Sequence, residues 1–150
     1  MKATLRDAAI GALIGSLAVV GTFGLLVVIG IVRVAPWVAM WQALIGGEGW
    51  IVPALAGGVL FIAIGVLWGL PFVLVEEPGP FKGFVYGIVP TLWAWTGMPL
   101  LMDAAPMGGL DPVNMGLPVV MNCVIWGSIL GWYTREKVFG SGGGGGAVYY

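Results

Sequence analysis

Histidine is absent from the 150 residues of this sequence. Neutral imidazole is the usual axial ligand of haem, the commonest ligand of other metals and the side chain whose charge changes nearest to neutral pH. Without it, the sequence lacks the usual metal ligand and the usual general base of nucleophilic catalysis. We therefore expect a protein that is not an enzyme and that has no catalytic residue, no metal site and no cofactor of its own.

Charged side chains are scarce as well: they make up 9% of the residues, whereas hydrophobic ones make up 59%. The mean hydropathy is +1.02, which is too apolar for a soluble domain with a polar surface. The six basic residues are scattered, so no basic surface could neutralise a row of phosphates, and nucleic acid is excluded as a partner. The single cysteine, Cys123, lies in an apolar run and is expected to pack as a small hydrophobic residue.

Four long segments carry no charged side chain. Crossing about 30 Å of hydrocarbon takes roughly 20 helical residues, and each of these segments is long enough. The sequence therefore predicts an all-α membrane protein with one bundle of four transmembrane helices over residues 1–139. The predicted spans are residues 8–32, 51–75, 83–102 and 113–134.

The basic residues predict how the bundle is oriented, because Lys and Arg resist translocation. Only Arg33 falls on the side opposite to the two chain ends. We therefore predict that both termini are cytoplasmic, in a multi-pass protein of the bacterial inner membrane. The basic residues on the side of the termini are Lys2, Arg6, Lys82, Arg135 and Lys137.

A short amphipathic helix is predicted over residues 36–46, between the first two spans. Pro36 suits a first helical position, and large apolar side chains then recur at helical spacing before Gly46 and Gly47. We expect this helix to lie on the outer membrane surface with Trp37 and Trp41 at headgroup depth. The alternative is that its apolar face docks on a partner subunit.

Each span contains one Gly-x-x-x-Gly motif, a spacing that lets helices approach closely in a bilayer. All four motifs lie in the half nearer the termini, so we expect a bundle that is tight there. It is expected to splay at the other end, where Pro53, Pro99 and Pro118 introduce kinks. The alternative is chance, since the chain has 27 glycines. The predicted packing glycines are Gly11, Gly15, Gly65, Gly69, Gly83, Gly87, Gly127 and Gly131.

Four large or polar side chains lie deep within the predicted spans. Asn122 is expected to form an interhelical hydrogen bond, and the sharper alternative is a contact with the carbonyl of a quinone, lipid or pigment. Trp93, Trp95 and Trp126 are too deep for an aromatic belt. They are expected to pack in an interface with a partner, or alternatively to wall a slot for a carotenoid or quinone tail.

The predicted spans lack the ionisable side chains that ion-coupled transport and catalysis require. Ion-coupled transport needs an ionisable group at depth, and the membrane glutamate on which small multidrug antiporters depend has no counterpart here. Asp103 and Asp111 could be imagined as a paired-carboxylate or calcium site. We instead expect Asp103 to end one helix, and Asp111 to cap the next with Pro112 at its first position.

The chain closes on a glycine-rich tail, residues 140–150, which behaves as a flexible coil when free. Ordering such a run is costly in entropy and needs a partner surface. Tyr149 and Tyr150 are the predicted anchors.

The second half of the chain carries a spacing of aromatic residues and glycines over residues 81–87 and 116–135. It includes Trp126-Gly127 and Gly131-Trp132-Tyr133. This spacing resembles small bacterial membrane proteins of similar length that belong to uncharacterised families, some of which carry a histidine that is absent here. The resemblance implies only a four-helix protein of the bacterial inner membrane.

These features predict a non-catalytic accessory subunit of a larger bacterial membrane complex, respiratory or photosynthetic. Its expected partners are other integral membrane subunits and lipids, with a lipid, quinone or carotenoid bound at an interface as a further prediction. The alternative is a small homo-oligomeric transporter or channel. A third hypothesis, an enzyme acting on lipid, lacks an acid/base pair.

Overall fold

The computed structural model describes residues 2–47 and 49–140. In this part of the chain the structure is helical, without strands beyond a single bridge between Lys2 and Glu76. Four helices are long and apolar enough to cross a membrane, which confirms the predicted number of spans and a multi-pass membrane protein. They are the first span (Leu5–Val28), the second (Ile51–Leu74), the third (Pro80–Leu101) and the fourth (Pro112–Phe139).

The first span, helix α1 (Leu5–Val28), begins and ends earlier than the predicted 8–32. Thr4 and Asp7 form a capping box: the Asp7 N–H donates to Thr4 Oγ1 at 3.1 Å, and the Thr4 N–H donates to Asp7 Oδ2 at 3.3 Å. This cap satisfies backbone donors at the helix start and places Asp7 in the first turn. At the other end, Gly30 has a φ of +80°, outside the helical region.

The second span consists of α3 (Ile51–Gly69) and a 3₁₀ turn (Leu70–Leu74), close to the predicted 51–75. The kink expected at Pro53 is wrong, because α3 is continuous. Pro53 lies in the first turn of α3, where a backbone N–H would have no intrahelical partner in any case.

The third span is broken into α4 (Pro80–Tyr86), α5 (Ile88–Trp95) and α6 (Gly97–Leu101). It begins before the predicted residue 83, because Pro80 occupies its first turn. Proline has no N–H to donate four residues back, so Pro90 leaves the carbonyl of Tyr86 without its helical partner, and Pro99 leaves that of Trp95. The two interruptions follow directly after those carbonyls.

The fourth span consists of α7 (Pro112–Pro118), a π-helical segment (Val119–Gly127) and α8 (Ser128–Phe139). Asp111 Oδ1 accepts hydrogen bonds from the N–H groups of Val113 and Asn114, each at 3.0 Å, which confirms Asp111 as the helix cap. The π-helical segment starts directly after Pro118. The sequence predicted a kink at this proline, and the structure has a change from α-helix to the wider π-helix there.

The same span runs beyond the predicted residue 134. Arg135, Glu136 and Lys137 lie in its last helical turns. The charged residues limit how far the chain can lie in hydrocarbon, but they do not end the helix, because water and headgroups solvate charges on a helix that leaves the membrane.

Helix α2 (Pro36–Leu44) is present between the first two spans, with Pro36 at its first position. It packs against α3: Trp37 is 7% exposed, with its ring 6.0 Å from that of Phe23 and 5.5 Å from that of Phe61. The expectation that Trp37 is a lipid anchor is therefore wrong, since its side chain lies in the protein core. Trp41 remains half-buried, next to Gly57. The position of α2 on a membrane surface stays a prediction.

The spans pack in the order second, first, fourth, third. The first span contacts the second and the fourth, and the third contacts the fourth. In the described residues the second and third spans do not pack closely along their helices. They meet through side chains instead: Tyr86 Oη donates to the Trp68 carbonyl at 2.7 Å, and the rings of Trp68 and Trp93 are 6.5 Å apart.

The third and fourth spans are in backbone contact through four of the predicted packing glycines. A Cβ added to Gly83 would collide with the Gly127 carbonyl, and one added to Gly127 would collide with the Gly83 carbonyl. In the same way, Gly87 faces the Asn122 carbonyl and Gly131 faces that of Gly79. Side chains are excluded here, so the two helices lie as close as their backbones allow.

The other four glycines join the first span to its neighbours. A Cβ on Gly11 would lie 3.2 Å from Leu130 Cδ1, and one on Gly15 would lie 2.9 Å from Trp126 Cδ1. Gly65 faces Ser16 and Gly69 faces Ala12 in the same close manner.

All eight glycines thus lie at contacts between spans, in the half of the bundle where the first span begins and the fourth ends. We call this the terminal end and the opposite one the loop end.

Candidate binding cavity

A cavity of ≈ 400 Å³ lies between the four spans. Each span contributes to its wall, with Phe23 from the first, Phe61 from the second, Trp93 from the third and Met121 from the fourth; α2 contributes Met40. The cavity occupies the half towards the loop end, where the packing glycines no longer hold the helices together. The loop residues Ala104 and Ala105 line it there.

No Asp, Glu, Lys or Arg side chain lines this cavity within the described residues. The wall is mostly aliphatic and aromatic. The residues with polar atoms that contribute to it are Ser16, Asn114, Asn122 and four tryptophans. Because a charge would be costly here without a counter-charge, the cavity suits a neutral and largely apolar molecule.

The three deep tryptophans of the sequence all line this cavity. Trp93 is 42% exposed and faces Trp68 across the gap between the third and second spans. Trp95 is half-buried, and its Nε1 donates to the Met115 carbonyl at 3.1 Å. Trp126 is buried and stacks on Tyr86 with ring centroids 6.1 Å apart. The structure thus brings the three predicted tryptophans to one site, the wall of this cavity. The other residues of the wall come from spans that are distant in sequence.

Two buried polar atoms at the end of the cavity nearest the packing glycines have no hydrogen-bond partner in the described structure: Ser16 Oγ and Trp126 Nε1. Both flank Gly65, since a Cβ there would collide with Ser16 Oγ and lie 3.8 Å from Trp126 Nε1. Leaving a buried donor unsatisfied costs about 1–3 kcal/mol per group. Buried polar groups are almost always hydrogen-bonded, so these two atoms call for a partner that the described side chains do not provide.

Ser16 differs in this respect from the other Ser and Thr residues of the described spans. Those hydroxyls donate to a backbone carbonyl of their own helix, as Thr22 does to Ala18 at 2.8 Å and Thr134 does to Leu130 at 2.8 Å. The remaining ones behave alike: Thr91, Thr96 and Ser128.

Asn122 lies on the wall of the cavity, half-buried, in the π-helical segment. Its backbone carbonyl faces Gly87. Its side-chain amide forms no hydrogen bond with the described residues. The interhelical bond expected within this bundle is therefore not formed there, and a bond to a neighbouring chain stays a prediction.

Two further aromatic residues, Phe72 and Tyr86, support the tryptophans of this site, and neither was among the site residues predicted from the sequence. Phe72 is fully buried and its ring lies 5.2 Å from that of Tyr86, while Tyr86 bonds Trp68 and stacks on Trp126. Spans that are apolar on all sides give no periodicity from which a buried face could be predicted.

Other candidates from the sequence lie elsewhere. Asp103 follows the third span with a φ of +49°, and Asp111 caps the fourth. Within the described residues no group of three or more His, Cys, Asp or Glu side chains could hold a metal ion. Tyr149 and Tyr150 lie outside the described residues.

No protein-family model, curated protein or solved structure matches this chain.

Proposed function

We propose that this chain is a non-catalytic subunit of a larger membrane complex and that its cavity holds a neutral hydrophobic molecule. The observation that carries the proposal is a cavity of ≈ 400 Å³ surrounded by all four spans and lined by uncharged side chains. Binding pockets for small molecules typically measure about 300–1,000 Å³ and are mostly apolar with a few placed polar groups. A lipid, a quinone or a carotenoid end group would match this chemistry.

The lining supports a binding role over a catalytic one. General acid–base catalysis needs a titratable group within hydrogen-bond reach of the reacting atoms. Ser16 carries the hydroxyl that a nucleophilic mechanism would need, yet no basic side chain of the described residues lines the wall. A molecule in this cavity is therefore expected to be held, and not converted.

An exposed face of the first span supports packing against other membrane subunits. Gly21 and Gly24 meet no atom within 4 Å, and Leu17, Leu25 and Val28 around them are exposed. Small residues on an open helix face permit close approach of a further helix in a bilayer. We propose other integral membrane subunits and lipids as the partners of this face, with both termini cytoplasmic. The respiratory or photosynthetic nature of the complex stays a prediction.

The test is purification of the chain from its own membranes in a mild detergent. We expect it to co-migrate with other integral membrane chains, and mass spectrometry of the particle to find a neutral, lipid-soluble molecule in a constant ratio to the chain. A particle that contains this chain alone, with no such molecule, would contradict the proposal.

A second candidate function is a homo-oligomeric transporter or channel for a neutral solute. The observation that favours it is the irregular backbone beside the cavity, with interruptions after Tyr86 and Trp95 and a π-helical segment from Val119. Discontinuous helices line substrate sites in many transporters. Flux of a neutral solute into vesicles that contain only the purified chain would support this candidate over the subunit.

A further inference from the structure

We propose that Trp126 Nε1 and Ser16 Oγ donate hydrogen bonds to a carbonyl oxygen of the molecule held in the cavity. The ligand class is a neutral molecule with an apolar body and a carbonyl at one end, either a quinone or an ester lipid. This inference rests on the proposed function, because it names the chemistry by which the cavity recognises its occupant.

The kind of partner follows from what the two groups can do. An indole nitrogen only donates, so Trp126 requires an acceptor. A serine hydroxyl donates equally well, and a carbonyl oxygen has two lone pairs, so one oxygen accepts both bonds. A charged acceptor is excluded, since no cationic side chain among the described residues lines the cavity to balance it.

The surroundings fix where the two groups lie. Trp126 is held by stacking on Tyr86, and Tyr86 is held by its bond to the Trp68 carbonyl. Gly65 has no side chain between Ser16 and Trp126, so the two groups belong to one small space. The donor pair is therefore positioned by contacts among all four spans, as binding sites generally require.

Neighbouring side chains enclose both atoms almost fully. A carbonyl oxygen reaches them only when neighbouring side chains move, so the bound state is expected to differ locally from this one. The Asn122 amide, one helical turn before Trp126 on the same wall, provides a further donor for the ligand as it enters.

The body of the ligand would then lie towards the loop end, between Phe23, Phe61 and Trp93. A tail longer than the cavity would extend through the gap where the second and third spans do not pack closely. Trp68 and Trp93 flank this gap.

The experiment measures binding of three probes to the full chain in lipid nanodiscs: decyl-benzoquinone, dioctanoylglycerol and decylbenzene, which has no carbonyl. The variants are Trp126→Phe, which keeps an aromatic ring but removes the N–H, and Ser16→Ala. Their matched controls are Trp132→Phe on an exposed indole and Thr22→Ala on a hydroxyl already bonded within its helix. Thermal unfolding of each variant reports whether the bundle is intact.

We expect the wild type and both controls to bind at least one carbonyl probe more tightly than decylbenzene. The two site variants should lose about threefold to tenfold of that preference, the range for one hydrogen bond. The preferred carbonyl probe distinguishes a quinone from an ester lipid.

The preference is the ratio of the affinities of one variant for a carbonyl probe and for decylbenzene. Partial unfolding lowers both affinities alike, so it does not change this ratio. An unchanged preference in both site variants would overturn the inference and leave the cavity's binding role intact. Failure of the wild type to bind any probe would overturn both.

Discussion

Gly83 and Gly127 contact each other through their backbones: the carbonyl of each occupies the place where a Cβ of the other would lie. This reciprocal contact fixes the third span against the fourth at the terminal end. The two helices diverge from this contact towards the loop end, and the cavity lies where they are apart. Substitutions at this contact are expected to act on the stability of the whole bundle.

Gly83→Ala and Gly127→Ala should each lower the free energy of unfolding by about 1–3 kcal/mol, because the added methyl forces the two backbones apart. The measurement is unfolding in mixed micelles with increasing SDS. Gly21→Ala is the matched control, since a Cβ there meets no atom within 4 Å. It should be neutral or slightly stabilising. Equal losses at all three positions would contradict backbone contact as the cause.

Tyr86→Phe should lower the stability by about 1 kcal/mol, because it removes the hydrogen bond to the Trp68 carbonyl and leaves that carbonyl without this donor. Tyr133→Phe is the control, as its ring remains beside Lys137. The same unfolding assay measures both. A Tyr86→Phe protein as stable as the wild type would show that the bond between the second and third spans contributes nothing.

Trp37→Ala should cost about 3–5 kcal/mol, the range for removing a large aromatic side chain from a core. The ring is buried between Phe23 and Phe61, so α2 would lose its aromatic contacts with the first and second spans. Trp50→Ala, at a residue that is 72% exposed, should change the stability little. If Trp37 only anchored α2 to lipid, the two substitutions would have similar effects.

The predicted orientation is tested with single cysteines in a Cys123→Ala background. Ala105→Cys at the loop end should react with a membrane-impermeant thiol reagent in intact cells, and Thr4→Cys should react only after the membrane is opened. The wild-type chain, whose single cysteine Cys123 is buried, is the control and should not react before or after the membrane is opened. Labelling of Thr4→Cys in intact cells would reverse the orientation inferred from the basic residues.

The four spans could be predicted from hydropathy alone, because an uncharged segment of this length is rarely anything other than a transmembrane helix. The residues at which the helices begin and end could not be predicted in this way. Asp7 and Arg135 are charged and were therefore placed outside the predicted spans, yet both are helical: Asp7 lies in the first turn of α1, and Arg135 lies in α8 four residues before its end. The Thr4 to Asp7 spacing was the sequence signal for the true start.

The burial of Trp37 and the cavity could not be predicted for a different reason. An apolar stripe on α2 fits both lipid and protein, since both surroundings are apolar, and only tertiary contact decides between them. The glycine motifs indicated which helix faces permit close approach, but not which faces meet. The convergence of Ser16, Gly65 and Trp126 needs three spans at once, and no spacing in one segment encodes it.

The most direct test of the proposed cavity function is native mass spectrometry of the chain purified from its own membranes, compared with two alanine variants. Ala94 lines the cavity, whereas Ala63 is exposed on the outside of the second span. The wild type and Ala63→Phe should carry the same additional mass of a neutral molecule, and Ala94→Phe, whose ring fills the cavity, should not. The same mass on all three proteins, or on none of them, would contradict a ligand-holding cavity.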